Sequence, residues 1–431
     1  MADSRARSTL MLGIVTANGG PLSALSIRPF RWWFIGQITS ASGLMTQVVA
    51  TSWLVLQWRN SGFDLALVSV ASMTPMLVLS LWAGSLVDHI DRRKLLIFTQ
   101  GSMALISLVL FVLIDTGAAN FGLIIVISAL TGVINAADMP ARQVFVLDLV
   151  GEDRLAGAVS LYEVVLNASR VLGPAVGGAL LAISGPAACV LVNTISFLGP
   201  LAVLLYYRTI SSVTRRDPSQ SRPKVREGVR YAWSDPTIRA CLLLAAASGA
   251  LFSPTVMLPL IAHRVFHMGG GGYGLLLALF GVGALPGALL AAHGGSPPTG
   301  RKVRVLAATT GACMVVTAFA PDKAVLFVGM AAVGASSIWM IAVANTVVQL
   351  RTAPELRGRV MGAWSMALPG MVPITSVICG TLADACGARV AYGATGAVIA
   401  AVALIWWRSF AREPSGREEP AGGLASARVN V

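Results

Sequence analysis

Glu163, Asn167 and Arg170 stand inside an otherwise apolar run, four and seven residues apart. That spacing puts a carboxylate, an amide and a guanidinium on one face of a helix, with about 10 Å of rise between the two charges. An ionised group within a membrane segment costs on the order of 3 kcal/mol, so each needs a counter-charge, water or a ligand. Two readings fit the pair. Glu163 can take up and release a proton beside Arg170, or the two can form a fixed pair that locks their helix to a neighbour. Asp138, on the preceding run, is a further proton-coupling candidate, equally suited to capping or gating because it lies nearer the inner end of its segment.

Two other patterns belong with these. Ser169, Gly173 and Gly177 recur every four residues, a small-residue ribbon roughly a quarter turn from the polar face that lets a second helix come close. Pro174 removes a backbone hydrogen bond within it, and Gly178 extends it. The second pattern is the turn GSLVDHIDRRK, Gly84 to Lys94, where Asp88 precedes Arg92 and Arg93. A carboxylate there can sit on a helix N-terminus or pair with arginine, while the cations favour one side of a membrane. No nucleophile elbow, phosphate-binding lysine loop or clustered metal ligands occur, so the chain reads as a non-enzyme with no cofactor and no metal. His263 and His267 have a metal-compatible spacing without a third ligand and read as a solvated loop edge. The five cysteines read as small buried apolar residues.

The elements that must hold these groups follow from composition. Of 431 residues, 55% are hydrophobic and 12% charged, about half the charge share of an average soluble domain. The mean hydropathy is +0.74. Twelve apolar segments lie near 31–58, 64–87, 95–115, 119–138, 157–183, 186–206, 239–262, 272–293, 304–320, 324–349, 358–382 and 390–408. With the N-terminus inside, 27 of the 32 Lys and Arg fall on inward segments, four on outward loops, and Arg170 within a span. That bias puts both termini in the cytoplasm. The net charge of +13 is thus a topology signal, and nucleic acid is excluded as a partner. Leu10–Val15 is too short for a signal peptide and reads as part of a tail. The chain divides into an N-terminal tail (1–30), a six-helix bundle (31–206), a polar linker (207–238), a second bundle (239–408) and a C-terminal tail (409–431). Val225–Trp233 in the linker can form an interfacial helix. A weak repeat supports the division: Glu152-Asp153-Arg154 and Glu355-Leu356-Arg357 each precede a span.

The Gly84–Lys94 turn resembles the signature loop of the major facilitator superfamily, Gly-x-x-x-Asp-Arg-x-Gly-Arg-Arg. Gly84, Asp88, Arg92 and Arg93 match, while His89 and Asp91 replace the first Arg and the inner Gly. The resemblance implies that Asp88, Arg92 and Arg93 clamp a cytoplasmic gate. Gly173-Pro174-x-x-Gly177-Gly178 resembles the antiporter motif on the fifth helix of superfamily exporters, with Ser169 in place of an upstream Gly. The run from Asn135 to Gly178, with Trp53-Leu54-Val55-Leu56, Gly272-Tyr273-Gly274 and Arg357-Gly358-Arg359, is similar to the proton-dependent drug and siderophore exporters of bacteria. Many of these carry an Asp after the first-helix Gly, where this chain has Gly43-Leu44.

The resemblance implies an all-α membrane fold of twelve helices in two pseudo-symmetric six-helix bundles. Its central path runs between the first, fourth, seventh and tenth helices, which makes Gln47, Asn135, Trp339 and Asn345 candidates for lining a substrate cavity, with Asn167 and Trp364 beside them. Trp32, Trp33, Trp406 and Trp407, at span ends, read as interfacial anchors. The function implied is secondary export of a small amphipathic compound by proton antiport, from a bacterial inner-membrane protein acting as a monomer among membrane lipids. Alternatives are an uptake permease of the same fold, against which the antiporter motif speaks, and a non-transporting receptor or assembly factor, against which the lack of a large extramembrane region speaks.

Overall fold

The computed structural model describes residues 23–207, 225–252, 254–292, 298–353 and 356–411. The first six long elements are α1 (Arg28–Arg59), α2 (Gly62–His89), α3 (Arg92–Asp115), α4 (Phe121–Val150), α5 (Leu155–Ile183) and α6 (Gly185–Ser196, continuing as Leu198–Tyr206). The second six are α7 (Pro236–Ala247, resuming at Pro254–Leu260), α8 (Gly270–Ala292), α9 (Gly300–Ala318), α10 (Lys323–Arg351), α11 (Arg357–Ala367, resuming at Val372–Cys386) and α12 (Ala388–Ile405). Among the described residues ten runs are long and apolar enough to cross a membrane. Helices α1, diluted by Gln37, Ser40, Thr46 and Gln47, and α9, which opens with Arg301, Lys302 and Arg304, are not among the ten. Large apolar side chains such as Phe98 and Val328 face outward, as expected where lipid is the solvent.

Local chemistry sets the helix ends, and it repeats between the halves. Asp91 accepts from the Lys94 amide at the start of α3 (3.2 Å), and Thr299 from the Lys302 amide at the start of α9 (3.3 Å). Asn120 caps α4 through Leu123 (3.0 Å), and Asp322 caps α10 through Val325 (2.9 Å). Each side chain satisfies an amide that the first helical turn leaves without a partner. Four caps at matching places are a clearer trace of the internal repeat than the loop sequences are.

Packing repeats too. In the first half α1 lies against α5 and α6, α2 against α4, and α3 against α6; in the second, α7 lies against α11, α8 against α10, and α9 against α12. Glycine permits the tightest of these approaches. A Cβ on Gly132 would overlap the Ser72 carbonyl, and one on Gly283 the Ala331 carbonyl, so α4–α2 and α8–α10 meet by bare backbone. Trp32 is exposed as an anchor should be, whereas Trp33 is buried edge-on against Phe145, 5.0 Å between centroids, because it falls on the inward face of α1. In the linker a helix forms at Val225–Ser234 and packs on the first half of α11. Residues 208–224, and the tails as far as residue 22 and from residue 412, lie outside the described residues.

Gly283→Val should lower the thermal stability of the purified protein, by about 1–3 kcal/mol for an overpacked contact. Gly101→Ala, in α3 with nothing within 4 Å of its would-be Cβ, should be neutral or stabilising by up to about 1 kcal/mol. Thermal melts of the two variants side by side check both signs.

Candidate functional site

The two bundles close on each other at the end where α1 runs into α2, which is the outer end in the expected orientation. Along α5 the ribbon divides its work. Gly173 and Gly177 face Met45, Thr46 and Val49 of α1, and the Thr46 hydroxyl donates to the Gly173 carbonyl (2.9 Å). Gly178 and Pro174 face Gly274 of α8, and Gly281 faces the Arg170 carbonyl. The expected small-residue ribbon therefore packs within its own bundle along one edge and against the other bundle along the next. Trp53 extends this seal, edge-on to His263 (5.8 Å) and stacked on Tyr273 (6.3 Å). His263 thus sits half-buried on a π-helical turn, Ile261–Val265, and not at a solvated edge; His267 is the exposed one.

Nearer the inner end the same strip of α5 is uncovered. Val159, Glu163 and Val164 are exposed, as are Leu285 and Leu289 on α8. By helical angle, Glu163 and Arg170 point between the direction of α1 and that of α8, toward the space between the bundles. Asn167 joins them: its amide donates to the Glu163 carbonyl oxygen (2.9 Å), and its own oxygen accepts from Arg170 (3.3 Å). No direct Glu163–Arg170 ion pair forms among the described residues. Along one face of α5 the Asn167 side chain thus bridges the Glu163 backbone carbonyl and the Arg170 guanidinium.

The remaining candidates go elsewhere. Asp138 is fully buried, ion-paired with Arg142 one turn on and accepting from Thr99 (2.7 Å); Arg142 in turn donates to Gln37 (2.8 Å). It therefore ties α4 to α1 and α3 inside the bundle. Asn135, one turn earlier, is half-buried. Gln47 is also turned inward, its oxygen accepting from Ser107 (2.8 Å) and Asn193 (2.7 Å), because α1 alternates between a face toward α3 and α6 and a face toward the partner bundle. Trp364 is buried in the second bundle's core. Trp339 is half-buried with the Lys302 ammonium 5.5 Å over its ring, and Asn345 accepts from Gln349 (2.7 Å) near the inner end of α10.

In the signature loop, Arg92 holds Asp148 of α4 in a bidentate pair (2.9 and 3.0 Å), and Arg93 donates to the Leu204 carbonyl at the end of α6 (2.6 Å). The side chain of Asp88 lies outside the described residues. Asp148, Thr99, Asn193 and Asp384 are structural partners that sequence reading passed over. Asp148 alone had a visible signal, as an acid at the C-terminal end of α4, one helix beyond the basic turn.

Residues 19–421 match the transmembrane secretion effector family. The geometry and that match define a multi-pass membrane transporter, not an enzyme. The chain belongs to this family of major facilitator transporters. It is 28% identical to the multidrug efflux pump Tap of Mycolicibacterium fortuitum over 81% of this chain and 88% of that one. It is 25% identical to the staphyloferrin A transporter of Staphylococcus aureus, covering 79% of this chain and 85% of the relative. The enterobactin exporter of Citrobacter koseri is also 25% identical, over 80% and 83%. Among solved structures, a bacterial homologue of the iron transporter ferroportin in an inward-facing state superposes with a TM-score of 0.68 at 17% identity, covering 89% of this chain and 99% of that one.

Asp138→Asn should leave the Arg142 guanidinium buried without its counter-charge, at a cost of about 3–5 kcal/mol. A second change, Arg142→Gln, should recover most of the lost thermal stability. An Asp138→Asn protein that melts like the wild type but has lost transport would instead make Asp138 a proton-handling group.

Proposed function

We propose that this chain exports small amphipathic compounds from the bacterial cytoplasm by proton antiport through alternating access. It acts as a monomer, with both termini inside and the two six-helix bundles of 31–206 and 239–408 rocking about their shared face. The observation that carries this reading is the strip Glu163, Asn167, Arg170. It faces the space between the bundles immediately inward of the point where Gly281 meets the Arg170 carbonyl and the outer seal begins. Relatives named as a multidrug efflux pump and an enterobactin exporter support the outward direction, and a third is named as a staphyloferrin A transporter.

In this mechanism a compound enters from the inner side between walls supplied by Val159, Val164 and Leu285, which suit its apolar part. Ionised Glu163 attracts the polar or cationic part. Neutralising Glu163 with a proton removes that attraction, so cargo and proton compete for one group, which is what antiport requires. Asn167 fixes the arginine without neutralising it. Asp88 with Arg92 and Arg93 closes the inner end in the opposite state; the Arg92–Asp148 pair and the Arg93–Leu204 bond hold the turn firmly enough for that task.

Collapsing the proton gradient in inside-out vesicles should stop accumulation of a fluorescent amphipathic dye while ATP is still supplied. Accumulation that tracks ATP and ignores the gradient would assign a different energy source. Glu163 is exposed and makes no ion pair among the described residues, so Glu163→Gln should change stability by less than about 0.5 kcal/mol. It should still abolish uphill export while downhill exchange continues. Full gradient-driven export by the Glu163→Gln, Arg170→Met double variant would remove proton coupling from this helix.

A further inference from the structure

The α1–α2 turn is gripped by the other bundle at both of its helix ends, with the charge that each end calls for. Helix α1 ends at Asn60, which adopts left-handed backbone (φ 42°) and bonds back to Leu56. Arg264, on the π-helical turn of α7, donates to the Asn60 side-chain oxygen (3.0 Å) and to the Asn60 carbonyl. A cation therefore sits on the negative end of α1. Helix α2 begins two residues later. Asp384, in the last turn of α11, accepts from the Gly62 amide (2.8 Å), the Phe63 amide (2.9 Å) and the Ser61 hydroxyl (3.0 Å). An anion therefore sits on the positive end of α2.

A helix leaves the amides of its first turn without intrahelical partners. In α2 the Asp64 amide is met locally by the Ser61 hydroxyl (3.1 Å), and the Leu65 amide makes the first helical bond, to the Ser61 carbonyl (3.3 Å). The Gly62 and Phe63 amides are met by Asp384, from the opposite bundle. Arg264 and Asp384 are themselves paired (3.0 Å), with side chains 26% and 30% exposed, so each orients the other in a half-buried setting. The close approach has its own requirement. A Cβ on Gly62 would run into the Gly380 carbonyl of α11, so a side chain at that position would push the carboxylate out of reach.

We propose that the Arg264–Asp384 pair is an outer latch that caps α1 and α2 across the bundle interface, and that its strength sets how far the resting protein favours the outward-closed state. The proposal rests on the alternating-access reading above but not on any cargo or on protons. Outward opening must separate α11 from α2, and doing so strips two amides and one carbonyl of their partners at once. The Ser61 hydroxyl is already engaged at the Asp64 amide.

The test uses the full chain in lipid nanodiscs with Cys313 and Cys386 replaced by alanine. Spin labels go at two exposed outer-loop positions, Ala118→Cys in the first bundle and Lys323→Cys in the second. Electron–electron distance distributions are then recorded without substrate or gradient. The parent should show mainly the short, outward-closed distance. Asp384→Ala should raise the ratio of long to short distances on the order of tenfold, as loss of a charged helix cap would, and Arg264→Gln should move it the same way by less. If Asp384→Ala proves too unstable to label, the Arg264→Gln shift alone decides. Distributions unchanged in every variant that folds, or a lower melting temperature with no change in distance, overturn the latch. Either result leaves gradient-driven export in the parent untouched, so failure of the latch and failure of the export reading are read from separate measurements.

Discussion

Membrane helices have little hydrophobic reason to choose one another over lipid, so close van der Waals contact must do the choosing. In this chain that constraint falls on α5. One edge of the helix, Gly173 and Gly177, lets α1 in; the next edge, Pro174 and Gly178, lets α8 in from the other bundle. Every group with a bearing on function is placed relative to those two edges. Glu163, Asn167 and Arg170 fall between them and inward, where the second edge has lost its partner. Trp53 and the Arg264–Asp384 pair fall outward, where the bundles remain together. A single helix thus defines both the closed and the open end of the molecule.

Buried polarity in the first bundle serves a different end. Gln47, Ser107, Asn193 and Thr194 form one set of hydrogen bonds, and Asp138, Arg142, Thr99 and Gln37 form another together with the Asp138–Arg142 ion pair. Polar groups taken out of water are tolerated when they find partners, and such sets fix helix rotation better than apolar contacts can. The two sets tie α1, α3, α4 and α6 to one another.

How much of this could be read from residues alone depended on how far apart the partners lie in the chain. The all-helical membrane character and the α5 ribbon were legible because each is a local pattern of apolar or small residues. The polar strip was legible because four- and seven-residue spacing fixes a face by geometry alone. Gln47 and Trp364 were assigned to a central path and instead point into their own bundles. A helix that is apolar nearly all round carries no period to reveal which side faces which neighbour. Asp384 was passed over because its partners are backbone amides 321 to 322 residues away, and an amide looks the same in every residue type. Asp138 was expected near a gate, but its arginine one turn away holds it inside.

The Gly178–Gly274 contact has a kinetic consequence. Where two helices touch through side chains, parting them means withdrawing each from the groove it fills, with a change of rotamer at every step. Backbone on backbone has nothing to withdraw. Such a surface offers little friction and no ordered sequence of release, so the two bundles can separate and rejoin there without remodelling either one. Under the proposed alternating access, the time between closed and open forms is then governed by the few polar contacts at its rim. A protein built this way can change how fast it cycles by altering one or two charged residues, leaving its helices and their packing as they are.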